Sequence, residues 1–363
     1  MTAAEATPLP TSNRSVVWIG ARKLEVQQRP ITPPGDNEVL VEIIATGICG
    51  SDCHNYESDK VSRQLVLGHE SSGIIVKVGK NVTDRAVGQR VAIEPGFPCM
   101  ECEFCVRGNP NICANLKYCG LDPTDGMLCQ YFTCRASMTV PIPDNVSWEE
   151  AGAIQPLAIA VQLARRASLS ASQTMAIFGC GPLGLLILAV AKAYGVKKII
   201  MFDIEESRTK FAESYGADAG IVTSKNDDPA KDSLTFATEY AQDMIKKHDL
   251  GHGVDVAVEA SGAEICAQMA ICMLKPGGTC IQAGLGKPLT AVPLFLLTAK
   301  ELNIKGTVRY TPGCFSDAIS LLARKKVDLK PLITSTYPLT RAAEAFEAQH
   351  ARKDIKIVIM NQE

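Results

Sequence analysis

The sequence carries almost no excess of charge of either sign. Its 37 lysines and arginines are balanced by 39 aspartates and glutamates, which gives a net charge of −2. The basic residues are scattered along the chain, so no segment would attract a nucleic-acid backbone or an anionic membrane. We therefore expect neither nucleic acid nor a membrane among the partners of this protein.

Long apolar segments are also scarce, and aromatic residues make up only 6% of the chain. The one long uncharged run covers residues 175–191, and glycines and a proline interrupt it. Because a membrane-spanning helix needs about 20 apolar residues, this run predicts a buried strand that turns into a helix. Residues 1–14 lack the apolar core of a signal peptide and predict a flexible tail. A cytoplasmic location is expected.

Histidine is rare, with five residues, whereas cysteine is abundant, with 14. So many thiols without a signal peptide indicate a reducing compartment, where disulfides are disfavoured. Four of the cysteines stand close together, in the pattern Cys-x2-Cys-x2-Cys-x7-Cys between residues 99 and 113. Four thiolates at this spacing can surround one zinc ion at Zn–S distances of about 2.3 Å. Zinc ribbons of nucleic-acid proteins use similar spacings, but the charge balance opposes that alternative. A structural zinc lobe at about residues 94–118 is predicted, with the ligands Cys99, Cys102, Cys105 and Cys113.

Two patterns of secondary structure divide the 363 residues. Short β-branched runs at 16–18, 38–45, 72–78 and 90–93 predict a β-rich first part, followed by an irregular stretch at 94–135 and helical segments from 148 to 163. Strands are then predicted at 174–178, 198–202, 220–222, 254–259 and 279–283, with helices between them, and a last strand at 355–360. Strands that alternate with helices indicate an α/β fold with a doubly wound parallel sheet of the Rossmann type.

A glycine-rich turn lies where the first of those strands gives way to a helix. Gly179 permits the tight turn, Gly181 lets the backbone approach a pyrophosphate, and Gly184 allows the helix and strand to pack closely. The intervening Pro182 and Leu183 open the helix, whose N-terminus would receive the phosphates. The turn predicts a dinucleotide site.

Asp203 follows Gly184 by 19 residues, at the end of the next predicted strand. Its carboxylate would accept hydrogen bonds from the adenosine ribose and repel a 2′-phosphate, which favours NAD over NADP. Arg208 makes this choice less secure, because a nearby arginine can receive a phosphate.

Several motifs together resemble one known family. Residues 68–82 match the pattern GHExxGxxxxxGxxV at every fixed position, after a Gly-Ile-Cys-Gly-Ser-Asp-Cys-His loop at 47–54 and before an Arg-Tyr pair at 309–310. The chain from about residue 15 to residue 363 resembles the zinc-containing medium-chain alcohol dehydrogenases, in the sorbitol, xylitol and arabinitol dehydrogenase branch.

The resemblance implies a β-rich, GroES-like catalytic domain, made of residues 15–160 and 310–363, and an NAD-binding Rossmann domain at 161–309. It also implies a homo-oligomer, dimer or tetramer. A catalytic zinc would be held by Cys49, His69 and Glu70, with Ser51 and His54 as a proton relay. Further cofactor contacts would come from Arg208, Ala283, Gly284, Leu285, Thr307, Val308 and Arg309, and substrate contacts from Arg309 and Tyr310.

The chain departs from this polyol dehydrogenase pattern at two points near the predicted site. Gln155 stands where the pattern has a glutamate beside the zinc, and an amide is a poorer zinc ligand than a carboxylate. Asn55 separates the relay histidine from Tyr56, and the loop from 56 to 67 looks shortened. Because Asn55, Tyr56 and Gln155 are candidate substrate contacts, these departures also favour a substrate other than a simple sugar alcohol.

The sequence as a whole predicts an enzyme with two zinc ions per chain and NAD as cofactor. It would oxidise a secondary alcohol, with a polyol as the expected substrate, to a ketone by hydride transfer to the nicotinamide. One alternative keeps this chemistry for a specialised non-sugar alcohol or ketone. Another is a non-catalytic sensor that binds NAD and zinc.

Overall fold

The structure, a computed structural model, describes residues 11–59 and 63–363. Contacts divide the chain into a first unit, which ends at Gln155 and resumes with Ile333–Glu363, and a second unit, Pro156–Leu332. The predicted domain boundaries at residues 160 and 310 stay predictions, because contacts alone do not show where independently folding domains begin and end. Residues 1–10 of the predicted tail lie outside the described residues, and its last two residues belong to the first strand.

The first unit is built mainly from short strands. They are β1 Asn13–Gly20, β2 Lys23–Arg29, β3 Glu38–Gly47, β4 Leu65–Val66, β5 Glu70–Val78, β6 Arg90–Ile93, β7 Gly96–Phe97, β8 Lys117–Tyr118, β9 Tyr131–Arg135 and β10 Thr139–Pro141, with β17 Ile333–Pro338 and β18 Lys356–Met360 after the second unit. Its helices are α1 Gly50–Glu57, α2 Glu103–Val106, α3 Trp148–Ala151 and α11 Ala342–His350.

A seven-stranded sheet in the order β10-β6-β5-β3-β18-β17, with β9 also paired to β3, forms the centre of this unit. Alternate residues of β3, Val39, Val41 and Ile43, are fully buried and pack with Ile75 of β5. This follows the two-residue period of a strand. The register sets Gly47, the last residue of β3, opposite Glu70, the first residue of β5.

The second unit alternates strands and helices. Helix α4, Ile154–Ala167, leads into it, followed by β11 Thr174–Phe178, α5 Pro182–Ala193, β12 Lys198–Asp203, α6 Glu206–Tyr215, β13 Ala219–Val222, α7 Ser233–Lys247, β14 Val254–Glu259, α8 Glu264–Cys272, β15 Leu274–Gln282, α9 Leu294–Ala299, β16 Asn303–Gly306 and α10 Cys314–Ala323.

All six strands of the second unit run parallel, in the order β13-β12-β11-β14-β15-β16. The chain leaves β11 in one direction to add β12 and β13, and then returns to add β14 to β16 on the other side. The predicted fold class, a doubly wound sheet with a β-rich GroES-like part, is confirmed. The reversal between β11 and β14 is the place where open α/β sheets bind their ligands.

Several sequence-based assignments differ from the structure, and two of them show why. Residues 131–135, predicted as irregular, form β9, because their backbone pairs with β3 from Glu38 to Glu42. The edge strand β16 was not predicted, since its exposed sequence Asn-Ile-Lys-Gly has neither an apolar run nor a clear alternation. Within the described part of the chain, no helix combines the length and the apolar character needed to cross a membrane.

Candidate active site

Four cysteine sulfurs lie together in the lobe between β7 and β8. The Sγ atom of Cys113 is 3.5 Å from that of Cys99 and 3.9 Å from that of Cys102, and Cys99 is 4.0 Å from Cys105. A tetrahedral ion with bonds of about 2.3 Å separates its sulfur ligands by about 3.8 Å. All four are free thiols. The spacing of the sulfur atoms therefore fits one zinc ion.

Local backbone donors favour ionisation of two of these thiols. The backbone N–H of Cys105 lowers the pKa of Cys102 to about 6, and that of Cys99 holds the pKa of Cys113 below its ordinary value. Burial instead raises the pKa of Cys105 to about 12. The Cys102 thiolate is thus available to a metal at neutral pH, and deprotonation of Cys105 is coupled to metal binding.

Replacing Cys102 by serine should cost the protein about one zinc ion per chain and lower its melting temperature by roughly 10 °C, because the lobe loses the ion that ties it together. Metal analysis and thermal unfolding would measure both effects. Cys266→Ser, at a half-buried thiol of the second unit, is the control. A Cys102→Ser protein that keeps its zinc and its melting temperature, and loses only turnover, would contradict a structural role.

A second group of metal-ligating side chains lies at the end of the central sheet. One ligand atom from each of Cys49, His69 and Glu70 lies within 4.8 Å of the others. Cys49 caps α1, and Glu70 begins β5. A Cβ atom on Gly47 would lie 2.3 Å from Glu70 Oε2, so this close approach requires glycine. Three ligands with sulfur, nitrogen and oxygen donors are typical of catalytic zinc, which keeps its fourth position open.

Asp52, which the sequence analysis did not single out, holds the histidine of this group. Its carboxylate is 1% exposed, lies 3.3 Å from His69 Nδ1 and accepts hydrogen bonds from the backbone N–H groups of Cys49 and Gly68. Burial opposes the charged imidazolium, but the charges of Asp52 and Cys49 raise the pKa of His69 well above its ordinary value. A carboxylate behind a histidine ligand orients the ring and makes it more basic, so Asp52 is a positioning residue.

Lys356 of β18 is a second residue that the sequence analysis did not identify. Its ammonium group is buried, forms an ion pair with Glu70 Oε2 and donates a hydrogen bond of 2.9 Å to the Ile48 carbonyl oxygen. The Glu70 carboxylate is therefore shared between the metal-ligand group and this lysine. The only sequence signal was a lysine at the start of an apolar strand.

Gln155 connects to the histidine through an aromatic ring. Its Nε2 donates to Tyr118 Oη at 3.1 Å, and the Tyr118 ring lies 5.5 Å from the His69 ring, centre to centre. The Gln155 side chain is buried, and its Oε1 has no hydrogen-bond partner among the described residues. Because a buried acceptor without a partner is costly, this atom fits a site where a metal-bound water or a substrate hydroxyl donates to it.

Helix α1 carries the predicted relay and two candidate substrate contacts. Ser51 is exposed and donates from Oγ to Cys49 Sγ at 3.3 Å, and His54 is exposed one turn further along. Asn55 Nδ2 donates to the Gly120 carbonyl oxygen at 3.3 Å, which attaches α1 to the loop after β8. Ser51 and His54 stay predicted as the relay.

Tyr56 does not fit its predicted role as a substrate contact. The side chain is 2% exposed, its ring packs 5.1 Å from that of Phe346, and its hydroxyl donates to Glu347. The extra residue Asn55 shifts the aromatic by one position around the helix, and it turns inward to the core. We therefore remove Tyr56 from the candidate substrate contacts. Part of the loop thought to be shortened, residues 60–62, lies outside the described residues.

The glycine-rich turn has the geometry of a dinucleotide site. Gly179 has a φ of 110°, and a Cβ atom on Gly184 would lie 1.9 Å from the Gly179 carbonyl oxygen. Gly181 caps α5, and Pro182 is its first residue. Asp203 ends β12, and its carboxylate accepts hydrogen bonds from the Cys180 and Glu205 backbone N–H groups. The turn and the acidic residue are therefore held together at the start of α5.

Of the remaining candidate cofactor residues, Arg208 lies in the first turn of α6, and the others follow the ends of β15 and β16. Leu285 is 97% exposed and Val308 is 45% exposed, whereas Thr307 Oγ1 is buried without a hydrogen-bond partner among the described residues. Such an atom fits a polar contact with a bound cofactor. Arg309 adopts a left-handed φ of 52°, a conformation often found at functional positions, and the Tyr310 ring packs edge-on against Phe315.

The parallel sheet with its glycine turn and the two metal-ligand groups define a zinc-dependent dehydrogenase. Two family models match the chain: the alcohol dehydrogenase GroES-like domain at residues 35–144 and the zinc-binding dehydrogenase at residues 182–324. D-xylulose reductase A of Aspergillus oryzae is 39% identical over 360 residues, which cover 98% of each chain. The protein therefore belongs to the zinc-containing medium-chain alcohol dehydrogenase family, in its polyol dehydrogenase branch.

Solved structures agree with this membership. L-idonate 5-dehydrogenase of Escherichia coli superposes with a TM-score of 0.85 and 28% identity, over 96% of this chain and 98% of the other. An E. coli alcohol dehydrogenase complexed with NADH superposes with a TM-score of 0.86 and 27% identity, over 97% and 100% of the two chains. The predicted recognition and enzyme class, an oxidoreductase that acts on alcohols, are confirmed.

Proposed function

We propose that this protein oxidises a secondary hydroxyl group of a polyol to a ketone, with NAD as hydride acceptor, and catalyses the reverse reduction of a ketose. The observation that carries the proposal is the three-ligand group of Cys49, His69 and Glu70, together with the buried Gln155 Oε1, which is linked to His69 through Tyr118 and has no hydrogen-bond partner among the described residues. The 39% identity to a D-xylulose reductase supports a polyhydroxylated substrate.

A zinc ion bound by those ligands would lower the pKa of the alcohol hydroxyl, and the nicotinamide would accept the hydride from the adjacent carbon. The alcohol and NAD⁺ thus give a ketone, NADH and one proton. Gln155 Oε1 orients the hydroxyl by accepting its hydrogen bond. Ser51, in contact with Cys49, passes the released proton towards His54, which is exposed and can deliver it to water.

The other residues hold these groups in place. Asp52 keeps the His69 ring in one orientation, and Lys356 does the same for the Glu70 carboxylate. At the cofactor site Asp203 would accept hydrogen bonds from the adenosine ribose. Thr307 Oγ1, which has no hydrogen-bond partner among the described residues, would form a hydrogen bond with the cofactor. Arg309 and Tyr310 are the proposed partners of the remaining substrate hydroxyls.

The experiment that tests the proposal is reduction of NAD⁺ with xylitol and sorbitol, compared with 2-propanol and other simple secondary alcohols. We expect polyols to give the higher kcat/KM, and D-xylulose to be reduced by NADH. Higher values for simple alcohols would favour a specialised non-sugar substrate, which Gln155 and Asn55 motivate. NADH binding without turnover of any alcohol would indicate a sensor.

Replacing Asp203 by alanine should lower the preference for NAD⁺ over NADP⁺ at least roughly tenfold, because the variant loses both the ribose acceptor and the charge that repels a 2′-phosphate. The ratio of kcat/KM values for the two cofactors would measure it. Asp227→Ala, at an exposed carboxylate of the same unit, is the control. A wild-type enzyme that prefers NADP⁺, or an unchanged ratio in Asp203→Ala, would contradict this assignment.

A second copy of the chain is the proposed partner of an exposed apolar surface on the second unit. Leu289 is 88% exposed and Phe295 is 80% exposed, and both precede β16, which is one of the two edge strands of the parallel sheet. Exposed apolar patches of this kind are typical of interfaces. Phe295→Asp should lower the molar mass in light scattering to that of a monomer, whereas Val87→Asp, at an exposed position of the first unit, should not.

We also propose a cytoplasmic location. The fourteen free thiols suit a reducing compartment.

A further inference from the structure

Glu259, the last residue of β14, is a fully buried carboxylate that no step of the proposed mechanism uses. Its Oε1 accepts hydrogen bonds from the backbone N–H groups of Ser261 at 2.7 Å and Gly262 at 2.8 Å, and from the Ser261 hydroxyl. Its Oε2 accepts one from Gln282 Nε2 at 2.7 Å. The carboxylate is therefore an acceptor toward four neutral donors, which matches its ionised form.

These bonds join two loops that follow neighbouring strands. Ser261 and Gly262 belong to the loop after β14, and Gln282 ends β15. Gln282 Nε2 also donates to the Gly284 carbonyl oxygen at 2.9 Å, and the Glu259 carbonyl oxygen accepts from the Ala283 and Gly284 N–H groups. One residue thus fixes the position of both loops.

The two loops also approach each other too closely at Gly284 for a side chain to fit between them. A Cβ atom on Gly284 would lie 2.3 Å from Gly262 N and 2.4 Å from Glu259 Oε2. One on Gly179 would lie 3.2 Å from the Ala260 carbonyl carbon, so the loop after β14 also contacts the dinucleotide turn. The turn follows β11, and the reversal of strand order between β11 and β14 marks the ligand crevice. A shift of either loop would therefore change the wall of that crevice.

We propose that Glu259 is a positioning residue for the cofactor, which holds the segment 283–285 in the geometry that receives the nicotinamide half of the dinucleotide. This inference rests on the proposed NAD-linked function. A carboxylate is required because every neighbour donates: a glutamine could keep its oxygen on Ser261 and Gly262, but its NH₂ group would then face Gln282 Nε2. The side-chain tie to the second loop would be lost while the first loop stays in place, and the second loop would keep only the two bonds from the Ala283 and Gly284 N–H groups to the Glu259 carbonyl oxygen.

The test compares binding of NADH with that of ADP-ribose, which lacks the nicotinamide. In Glu259→Gln the Kd for NADH should rise about tenfold, because a buried donor pair is mismatched, while the Kd for ADP-ribose changes less than about twofold. Gln282→Leu should give the same pattern. The double variant should bind NADH no more weakly than the single variants, since all three break the same hydrogen bond between Glu259 and Gln282.

Asp255→Asn is the matched control. Asp255 lies on the same strand at its opposite end, where its carboxylate accepts hydrogen bonds from Thr174 N and Oγ1 at 2.8 and 2.9 Å. We expect this variant to lose thermal stability but to bind NADH like the wild type. Titrations followed by calorimetry give both constants without any turnover.

Four results would overturn the inference, and the last of them would also overturn the proposed function. Wild-type NADH affinity in Glu259→Gln would show that the loop does not depend on the carboxylate. Equal weakening of NADH and ADP-ribose would indicate general support of the fold, as would weaker NADH binding in Asp255→Asn. A wild-type protein that binds neither NAD⁺ nor NADH would instead overturn the proposed function, and the inference with it.

Discussion

Replacing Lys356 by methionine should destabilise the zinc-depleted protein by about 3–5 kcal/mol, because the Glu70 carboxylate is left buried without its partner. The two side chains are 8% and 1% exposed, so water cannot replace the lost ammonium group. With zinc bound, the charge of the ion compensates Glu70 and the loss should be smaller. By linkage, the variant should then hold this zinc more tightly than the wild type does.

Thermal unfolding with and without a mild chelator would measure the difference, together with the rate of zinc loss. Lys353→Met, three residues earlier on the exposed surface, is the control and should change neither quantity. An equal loss of stability in the zinc-bound and zinc-depleted forms would mean that the metal does not compensate Glu70. In that case Glu70 would not be a ligand.

The ion pair also illustrates where the sequence stops being informative. The residues that would hold metal or cofactor lie in short motifs, such as residues 47–54, 68–70 and 179–184, because each depends on one loop or one turn. Lys356 is 286 residues away from Glu70 and meets it only because β18 pairs with β3. No local pattern in the sequence encodes that contact.

Errors in the predicted site have a similar origin. The aromatic Tyr56 was placed at the substrate by its position after His54, but the face of helix α1 on which it lies is set by packing against Phe346. Asp52 was overlooked although it lies within the Cys-Gly-Ser-Asp motif, because an acidic residue in the first turn of a helix is equally expected as a cap. The periodic parts of the fold were predicted well, since burial of β11 and β12 on both faces gives continuous apolar runs.

Replacing Gln155 by glutamate should strengthen catalytic zinc binding and move the pH dependence of alcohol oxidation upward. One oxygen of the new carboxylate would lie where Gln155 Oε1 is now, an atom without a hydrogen-bond partner among the described residues. The other oxygen would replace Nε2 and could accept a hydrogen bond from the Tyr118 hydroxyl group. A negative charge beside the metal-bound hydroxyl opposes its deprotonation and raises its pKa. Oxidation requires the deprotonated form, so the rise of activity with pH should begin about one unit higher, which corresponds to about 1.4 kcal/mol.

The pH–rate curve with a polyol and the rate of zinc loss to a chelator would be measured for both proteins. Tyr118→Phe is the matched control: it removes the hydroxyl that accepts from Gln155 Nε2 but adds no charge, so its pH profile should stay close to that of the wild type. Superimposable profiles and equal zinc retention in Gln155→Glu would place residue 155 outside the reacting centre. Its buried Oε1 would then need another donor, and the proposed orientation of the substrate hydroxyl by Gln155 would be wrong.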